Sequence, residues 1–207
     1  MQCMGKEARR LTRAGLLRRG AVGGGALLAS ASGLAAVAPA AFADGVPDGD
    51  LAYLRLLIAS ELLAVDFYRE VLRRGTLRRP GTTVVRRLRA DESQHYALLA
   101  ALMTADGQTP ATAGDIDFSY PAGTFASRHS IVSFAKGLER MLVGAYIDAL
   151  ENVQTPAYRA TTARILANEA QHHGAVAALL REPVIGKGLP SPVRMDAMSN
   201  FLDRYES

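Results

Sequence analysis

Six side chains of the kinds that ligate metals recur along this chain in two matching sets. Each set has a Glu-x-x-His pair and a further glutamate 31 or 30 residues before the glutamate of that pair. The two sets are Glu61, Glu92 and His95, and Glu139, Glu169 and His172. Residues i and i+3 of a helix share a face, so the carboxylate and imidazole of each pair point the same way. This ligand set suits two hard cations that are bridged by carboxylates and each bound by one imidazole. The spacing therefore predicts a dinuclear metal site.

Four long segments with helical apolar periodicity must position these ligands. They span roughly residues 50–74, 81–105, 129–153 and 156–181, and all six candidate ligands fall on their apolar stripes. Four carboxylates buried together repel one another and each costs several kcal/mol unless it is paired. Two divalent cations remove this cost. The alternatives are a decayed site, or carboxylates paired with buried arginines such as Arg55 or Arg164.

The connections between the segments predict an all-α four-helix bundle made of two antiparallel hairpins. A few residues around Gly75 and Pro80 join the first pair, and Thr155-Pro156, an expected N-cap and first-turn proline, joins the second. Residues 106–128 are rich in Gly, Pro, Asp, Thr and Ser and predict one long crossover between the hairpins. Residues 191–205 allow a short last helix that packs on the bundle.

The two halves also resemble each other in sequence. The segment from Asp91 to His95 matches the segment from Asn168 to His172. A tyrosine follows the first glutamate of each set by seven residues, at Tyr68 and at Tyr146. A pseudo-twofold bundle with two similar half-sites follows. We expect both tyrosines to be buried and bonded across the bundle, with tuning of the metals as the alternative role.

The first 43 residues have the pattern of a signal peptide. Residues 21–38 form an uncharged stretch of small and apolar residues, followed by Ala41-Phe42-Ala43 as a cleavage motif. Basic residues precede the stretch, namely Lys6, Arg9, Arg10, Arg13, Arg18 and Arg19. The arginine pairs and the weakly hydrophobic core favour twin-arginine export, with Sec export and an uncleaved membrane anchor as alternatives. The predicted divisions are a signal at 1–43, a bundle at 44–182 and a tail at 183–207.

Removal of this signal changes the charge of the protein. Residues 1–43 hold 6 of the 24 basic and 1 of the 20 acidic side chains, which leaves 18 basic and 19 acidic. A net charge of −1 gives no general argument for nucleic-acid binding. An arginine cluster around one turn, residues 73–89, fits a solvated surface better than an anion-binding patch. The single cysteine, Cys3, lies within the signal, so the mature domain is expected to lack disulfides.

With its two Glu-x-x-His pairs and their upstream glutamates, the chain resembles the ferritin-like superfamily over residues 50–182. The resemblance is strongest to bacterial ferritin-like domain proteins, which often carry twin-arginine signals. It implies that Glu61 and His95 are terminal ligands of one metal and that Glu139 and His172 are terminal ligands of the other. It also implies that Glu92 and Glu169 bridge both metals. Two divalent metal ions are implied, iron in preference to manganese, with open positions facing oxygen or peroxide.

We therefore expect an exported protein of the cell envelope or exterior that reacts its metals with a small oxidant. A non-enzymatic metal-binding or stress-protective envelope protein is the alternative, since some relatives are of that kind. Iron storage is a third and weaker option because it needs a hollow shell. The expected partners are the export machinery and oxygen or peroxide, with no nucleic acid and no membrane after cleavage. A homo-oligomer is compatible with these features.

Overall fold

A computed structural model describes residues 46–186 and 188–206 of the chain. The described residues form five α-helices, and we label them in chain order: α1 Asp48–Arg74, α2 Gly81–Ala105, α3 Arg128–Asn152, α4 Pro156–Leu179 and α5 Met195–Leu202. The signal predicted for residues 1–43 lies outside this range. No helix among the described residues is long and apolar enough to cross a membrane.

The predicted four-helix bundle with a short fifth helix is confirmed. Helices α1 and α2 pack as one hairpin and α3 and α4 as the other, while α1 contacts α3 and α2 contacts α4. Helix α5 packs on α1 and α3, and its Met198 and Leu202 are completely buried. Because α1 contacts three other helices, it is buried over a wider arc than the single predicted stripe.

Local sequence explains where α1 ends and contributes to where α3 and α4 begin. Helix α1 ends at Gly75, whose φ of 67° is left-handed and whose N–H donates to the carbonyl of Val71. Helix α3 begins at Ser127, which forms a capping box with Ser130. Helix α4 has Pro156 in its first turn, as predicted, but the side chain of Thr155 makes no capping hydrogen bond.

A side chain from α1 satisfies the start of α4 instead. Asp50, which is buried, accepts hydrogen bonds from the backbone N–H of Gln154 at 3.0 Å and of Thr155 at 2.7 Å. A carboxylate at a helix N-terminus also interacts favourably with the helix dipole. Asp50 therefore holds the beginning of α1 against the beginning of α4, which ties the two hairpins together at one end of the bundle.

The crossover and the tail are fastened to the bundle and to each other. Tyr120 of the crossover donates to Asp66 of α1 at 2.9 Å, and the N–H of Ser119 donates to the carbonyl of Tyr205 at 2.7 Å. The tail also runs along α3, where the N–H of Val193 donates to the carbonyl of Gly144 at 2.9 Å. These contacts leave the middle of the bundle, where the candidate ligands lie, enclosed by helices.

Candidate metal centre

The four bundle helices each contribute to one buried cluster of carboxylates and imidazoles. Helices α1 and α3 supply one glutamate each, and α2 and α4 supply one Glu-x-x-His pair each. All four glutamates are completely buried, and the two histidines are 4% and 3% exposed. The cluster consists of Glu61, Glu92, His95, Glu139, Glu169 and His172, so the structure brings together all six candidate ligands that the spacing singled out.

Within this cluster, ligand atoms form two overlapping groups. In each group the atoms lie within 4.8 Å of one another. The first group is Glu61, Glu92, His95 and Glu169, and the second is Glu92, Glu139, Glu169 and His172. Each group thus has one imidazole, one carboxylate of its own, and the same two shared carboxylates.

The shared carboxylates each turn one oxygen to each histidine. Glu92 places Oε2 at 3.0 Å from Nδ1 of His95 and Oε1 at 3.0 Å from Nδ1 of His172. Glu169 places Oε1 at 2.8 Å from Nδ1 of His95 and Oε2 at 3.6 Å from Nδ1 of His172. A carboxylate that presents its two oxygens to two neighbouring ligand groups has the arrangement needed to bridge two metal ions.

The unshared carboxylates lie at the two ends of the cluster. Glu61 Oε2 is 3.6 Å from Nδ1 of His95, and Glu139 Oε2 is 3.8 Å from Nδ1 of His172. The two imidazole rings lie almost parallel, with their centroids 5.5 Å apart. The order along the cluster is therefore one terminal pair, two shared carboxylates, and a second terminal pair.

Several buried atoms of the cluster have no hydrogen-bond partner among the described residues. Within the part of the chain that the structure describes, five carboxylate oxygens and both ring nitrogens of His172 lack a well-formed hydrogen bond. The oxygens are Glu61 Oε2, Glu92 Oε1, Glu139 Oε2 and both oxygens of Glu169. Buried polar atoms are nearly always hydrogen-bonded in native proteins. Oxygen and imidazole donors that converge without partners fit two divalent cations.

Burial and the neighbouring charged groups together set the protonation of the cluster in the absence of metal. Burial and the neighbouring carboxylates raise the pKa of Glu92 and Glu139 well above its usual range. Burial also acts to raise the pKa of Glu169, but the adjacent imidazoles of His172 and His95 outweigh it and lower that pKa to about 2. Burial disfavours protonation of His95, but its contacts with three carboxylates raise its pKa overall. Without metal, then, protons supply part of the positive charge that the carboxylates need.

Two tyrosines complete the polar interior. Tyr68 of α1 donates to Oε1 of Glu139 on α3, and Tyr146 of α3 donates to Oε1 of Glu61 on α1. Both rings are completely buried, and burial together with the adjacent glutamate raises the pKa of each hydroxyl. The expected bonding across the bundle is thus present, and the acceptors are the two terminal carboxylates.

The outer nitrogens of the two histidines face residues that the sequence did not single out as functional. His95 donates from Nε2 to Oδ1 of Asn168 at 3.0 Å. Nε2 of His172 lies 3.5 Å from Oδ2 of Asp91. Each partner directly precedes the glutamate of the opposite Glu-x-x-His pair, so its position in the internal repeat was the sequence feature that could have identified it. Periodicity alone could not identify these residues because each meets its histidine on the other hairpin.

The arginines offered as alternative partners do not reach the cluster. Arg55 donates to Gln108 at 3.1 Å, and Arg164 is exposed. No arginine or lysine forms an ion pair with the six residues in the described parts of the chain. Among the described residues, the side chains that form ion pairs with the cluster's carboxylates are therefore its own two histidines.

Fold and site together define a class: a helical bundle with a buried, duplicated carboxylate and imidazole cluster. Residues 49–182 match the ferritin-like domain family, and the chain belongs to that family. Its fold is similar to the crystal structure of a hypothetical protein from Methanococcus jannaschii, with a TM-score of 0.55 and 9% sequence identity. The similarity covers 84% of this chain and 98% of that one, and it concerns the fold alone. No curated protein matches the sequence significantly.

Proposed function

We propose that this protein holds two divalent metal ions in the cluster and reacts with oxygen or peroxide. The observation that carries the proposal is the pair of shared carboxylates, each of which presents one oxygen to each histidine. Glu61 and His95 would hold one ion, Glu139 and His172 the other, and Glu92 and Glu169 both. Iron is favoured over manganese by the family resemblance, and the oxygen-rich ligand set suits either metal. Bound iron or manganese would supply the capacity for electron transfer to the oxidant.

The protein's own side chains would orient the ligands and control the environment of the site. Tyr68 and Tyr146 hold the terminal carboxylates in place by hydrogen bonds. The near-complete burial of the cluster excludes bulk water, which strengthens electrostatic interactions within it. A small neutral oxidant suits such a site better than a bulky or charged substrate does.

Metal content tests this proposal most directly. The protein would be purified from iron- and manganese-supplemented cultures, beside a variant carrying Glu92→Ala and Glu169→Ala. About two metals per chain in the wild type, lost in the variant, would support the site. A metal-free, well-folded wild type would overturn it. A variant that removes a surface carboxylate, Glu182→Ala, is the matched control and should keep its metal.

A non-enzymatic metal-binding or stress-protective role is the second candidate, and the burial of the site favours it. Each of the four glutamates is 0% exposed, so an oxidant would have to pass between packed helices to reach the metals. Consumption of oxygen or peroxide by the metal-loaded protein separates the two candidates. Turnover that disappears with Glu92→Ala supports the redox role, whereas stable metal without turnover supports the structural role. A particle much larger than a small oligomer would point instead to storage.

Export forms a separate part of the proposal. The basic residues, uncharged stretch and Ala-Phe-Ala motif of residues 1–43 support twin-arginine export and a periplasmic or extracellular location. Replacement of both arginine pairs, Arg9-Arg10 and Arg18-Arg19, by lysine should leave the precursor inside the cell if the twin-arginine route is used. Continued export of that variant would favour the Sec route, and a full-length product in the membrane would indicate an uncleaved anchor.

A further inference from the structure

The two metal positions differ in the residue that lies behind each histidine. His172 faces the carboxylate of Asp91, whereas His95 faces the carboxamide of Asn168. Asp91 and Asn168 occupy equivalent positions in the internal repeat, one residue before the glutamate of each Glu-x-x-His pair. The otherwise symmetric site thus has a carboxylate behind one imidazole and a carboxamide behind the other.

Both partners fix the same orientation of the ring. The inner nitrogen, Nδ1, faces the carboxylates of the cluster in both histidines, and the outer nitrogen, Nε2, faces Asn168 or Asp91. An acceptor at Nε2 keeps the proton there and leaves the lone pair of Nδ1 for a metal. Both histidines thus offer the same nitrogen, Nδ1, to a metal, and the two sites can differ in how strongly that nitrogen binds the metal.

The carboxylate is buried and held in place. Asp91 is 5% exposed, and the same oxygen that faces His172 accepts a hydrogen bond from Nε of Arg87 at 2.8 Å. The Arg87 side chain is 78% exposed, so water screens its charge more than that of the carboxylate. His172 Nε2 has no well-formed hydrogen bond in the described parts of the chain, and Asp91 is the acceptor in reach at 3.5 Å. Asn168 forms the shorter contact, at 3.0 Å, but carries no net charge.

We propose that Asp91 makes the two positions unequal, so that the first divalent ion enters the position of His172 and Glu139 and the second enters that of His95 and Glu61. A carboxylate behind a ligating imidazole increases its basicity, and loss of such a partner typically weakens metal binding by about 10- to 100-fold. Asp91 and Asn168 are positioning residues, since neither lies among the ligand atoms of the two groups. The inference rests on the proposed dinuclear site.

Stepwise filling with Zn²⁺ tests the order without reference to activity. The protein would be expressed from the full coding sequence with ¹⁵N-labelled histidine, purified in the form to which the cells process it, and stripped of metal. It would then be titrated with Zn²⁺ while the chemical shifts of the histidine ring nitrogens are followed by NMR. The four histidines, at positions 95, 129, 172 and 173, would be assigned by single replacements with glutamine. With one equivalent of Zn²⁺, the His172 signals should shift first, with the His95 signals following at the second equivalent.

Exchange of the two outer residues makes the test decisive. The double variant Asp91→Asn with Asn168→Asp should reverse the order in which the two positions bind Zn²⁺. In the wild type we expect the Zn²⁺ affinities of the two positions to differ by about tenfold, and Asp91→Asn alone should reduce that difference to about threefold or less. If Asp91→Asn does not fold, Asn168→Asp, which keeps Asp91, should equalise the sites by strengthening the His95 position. Asp66→Asn makes the same chemical change where the carboxylate contacts Tyr120 and Arg69, and should leave the order unchanged.

The outcomes separate this inference from the proposed function. Two Zn²⁺ ions that bind in the same order in the wild type and the exchanged variant would overturn the role of Asp91 and leave the dinuclear site intact. Equal filling in the wild type would do the same. Failure of the wild type to bind Zn²⁺ at the cluster would overturn both.

Discussion

Tyr146 on α3 donates its buried hydroxyl to Glu61 on α1, across the middle of the bundle and 85 residues away in sequence. Tyr68 makes the reciprocal bond from α1 to Glu139 on α3. Each tyrosine follows one terminal carboxylate by two helical turns and bonds to the other. The pair therefore couples the two hairpins through the candidate metal centre itself.

Replacement of Tyr146 by phenylalanine should destabilise the metal-free protein. The change leaves Oε1 of Glu61 buried without its donor, which costs about 1–3 kcal/mol. Urea unfolding followed by circular dichroism would measure the free energy of unfolding. Tyr96→Phe is the matched control, because that hydroxyl is only partly buried and donates to the carbonyl of Ala111. Equal losses in the two variants would contradict the special role of the Tyr146 bond.

Stability of the metal-free protein should fall as pH rises from about 5 to about 8. The folded-state pKa values of Glu92 and Glu139 lie above the ordinary 4.5, so their contribution is complete below pH 4.5 and is lost as pH rises through the folded values. The raised pKa values of His95 and His172 act in the same direction above pH 6.5. The pKa of Glu169 is lowered to about 2, so its contribution to stability is gained at lower pH and does not cause the decline in this range.

Melting temperatures measured with and without Zn²⁺ would check this pH dependence. The metal-loaded protein should show the opposite trend, because metal competes with protons for the ligands. Glu92→Gln combined with Glu139→Gln supplies neutral side chains of the same shape and should flatten the decline in the metal-free form. A metal-free melting temperature that stays constant or rises between about pH 5 and about pH 8 would contradict the assignment.

Replacement of Asp50 by alanine should destabilise the bundle by about 2 kcal/mol, because two backbone N–H groups at the start of α4 lose a charged acceptor. Asp50→Asn keeps an acceptor oxygen and should lose about half as much. Asp48→Ala removes an exposed carboxylate from the same turn of α1 and should cost only a few tenths of a kcal/mol. Urea unfolding of the three variants would rank them, and a loss for Asp48→Ala equal to that for Asp50→Ala would contradict the cap.

Replacement of Gly144 by alanine should release the C-terminal tail from the bundle. An added Cβ would lie 2.3 Å from Cγ2 of Val193 and 3.1 Å from the carbonyl oxygen of Ser191, which forces the tail away. Limited proteolysis should then cut near residues 188–194 faster than in the wild type. Val193→Gly in the same chain should restore part of the protection, since it removes the closest contact.

The control for this prediction is on the same helix. Gly137→Ala meets nothing within 4 Å and should stabilise α3 by about 0.5–1 kcal/mol through helix propensity. Unchanged proteolysis of the tail in Gly144→Ala would show that the close approach at Val193 does not hold the tail in place.

Much of the fold was predictable because its determinants are local. The 3.6-residue period located the four bundle helices, the short turns at Gly75 and Pro156 made each pair antiparallel, and the polar, proline-containing stretch marked the crossover. The Glu-x-x-His spacing placed each carboxylate and imidazole on one buried face. Thr155 is the N-cap residue of α4, as expected, but its side chain makes no capping hydrogen bond, and Asp50, distant in sequence, accepts from its backbone N–H instead.

By itself, then, the sequence determined the helices, the hairpins and the six residues that meet in the core, because periodicity and turn residues act over a few neighbouring positions. Only the tertiary structure decided which residues from different hairpins touch: Tyr146 with Glu61, Asp91 with His172, and Asn168 with His95. It also decided that the tail lies against Gly144. Such pairings depend on the rotation of each helix about its axis and on the register between helices. Packing of the whole core sets these quantities, and no local pattern records them.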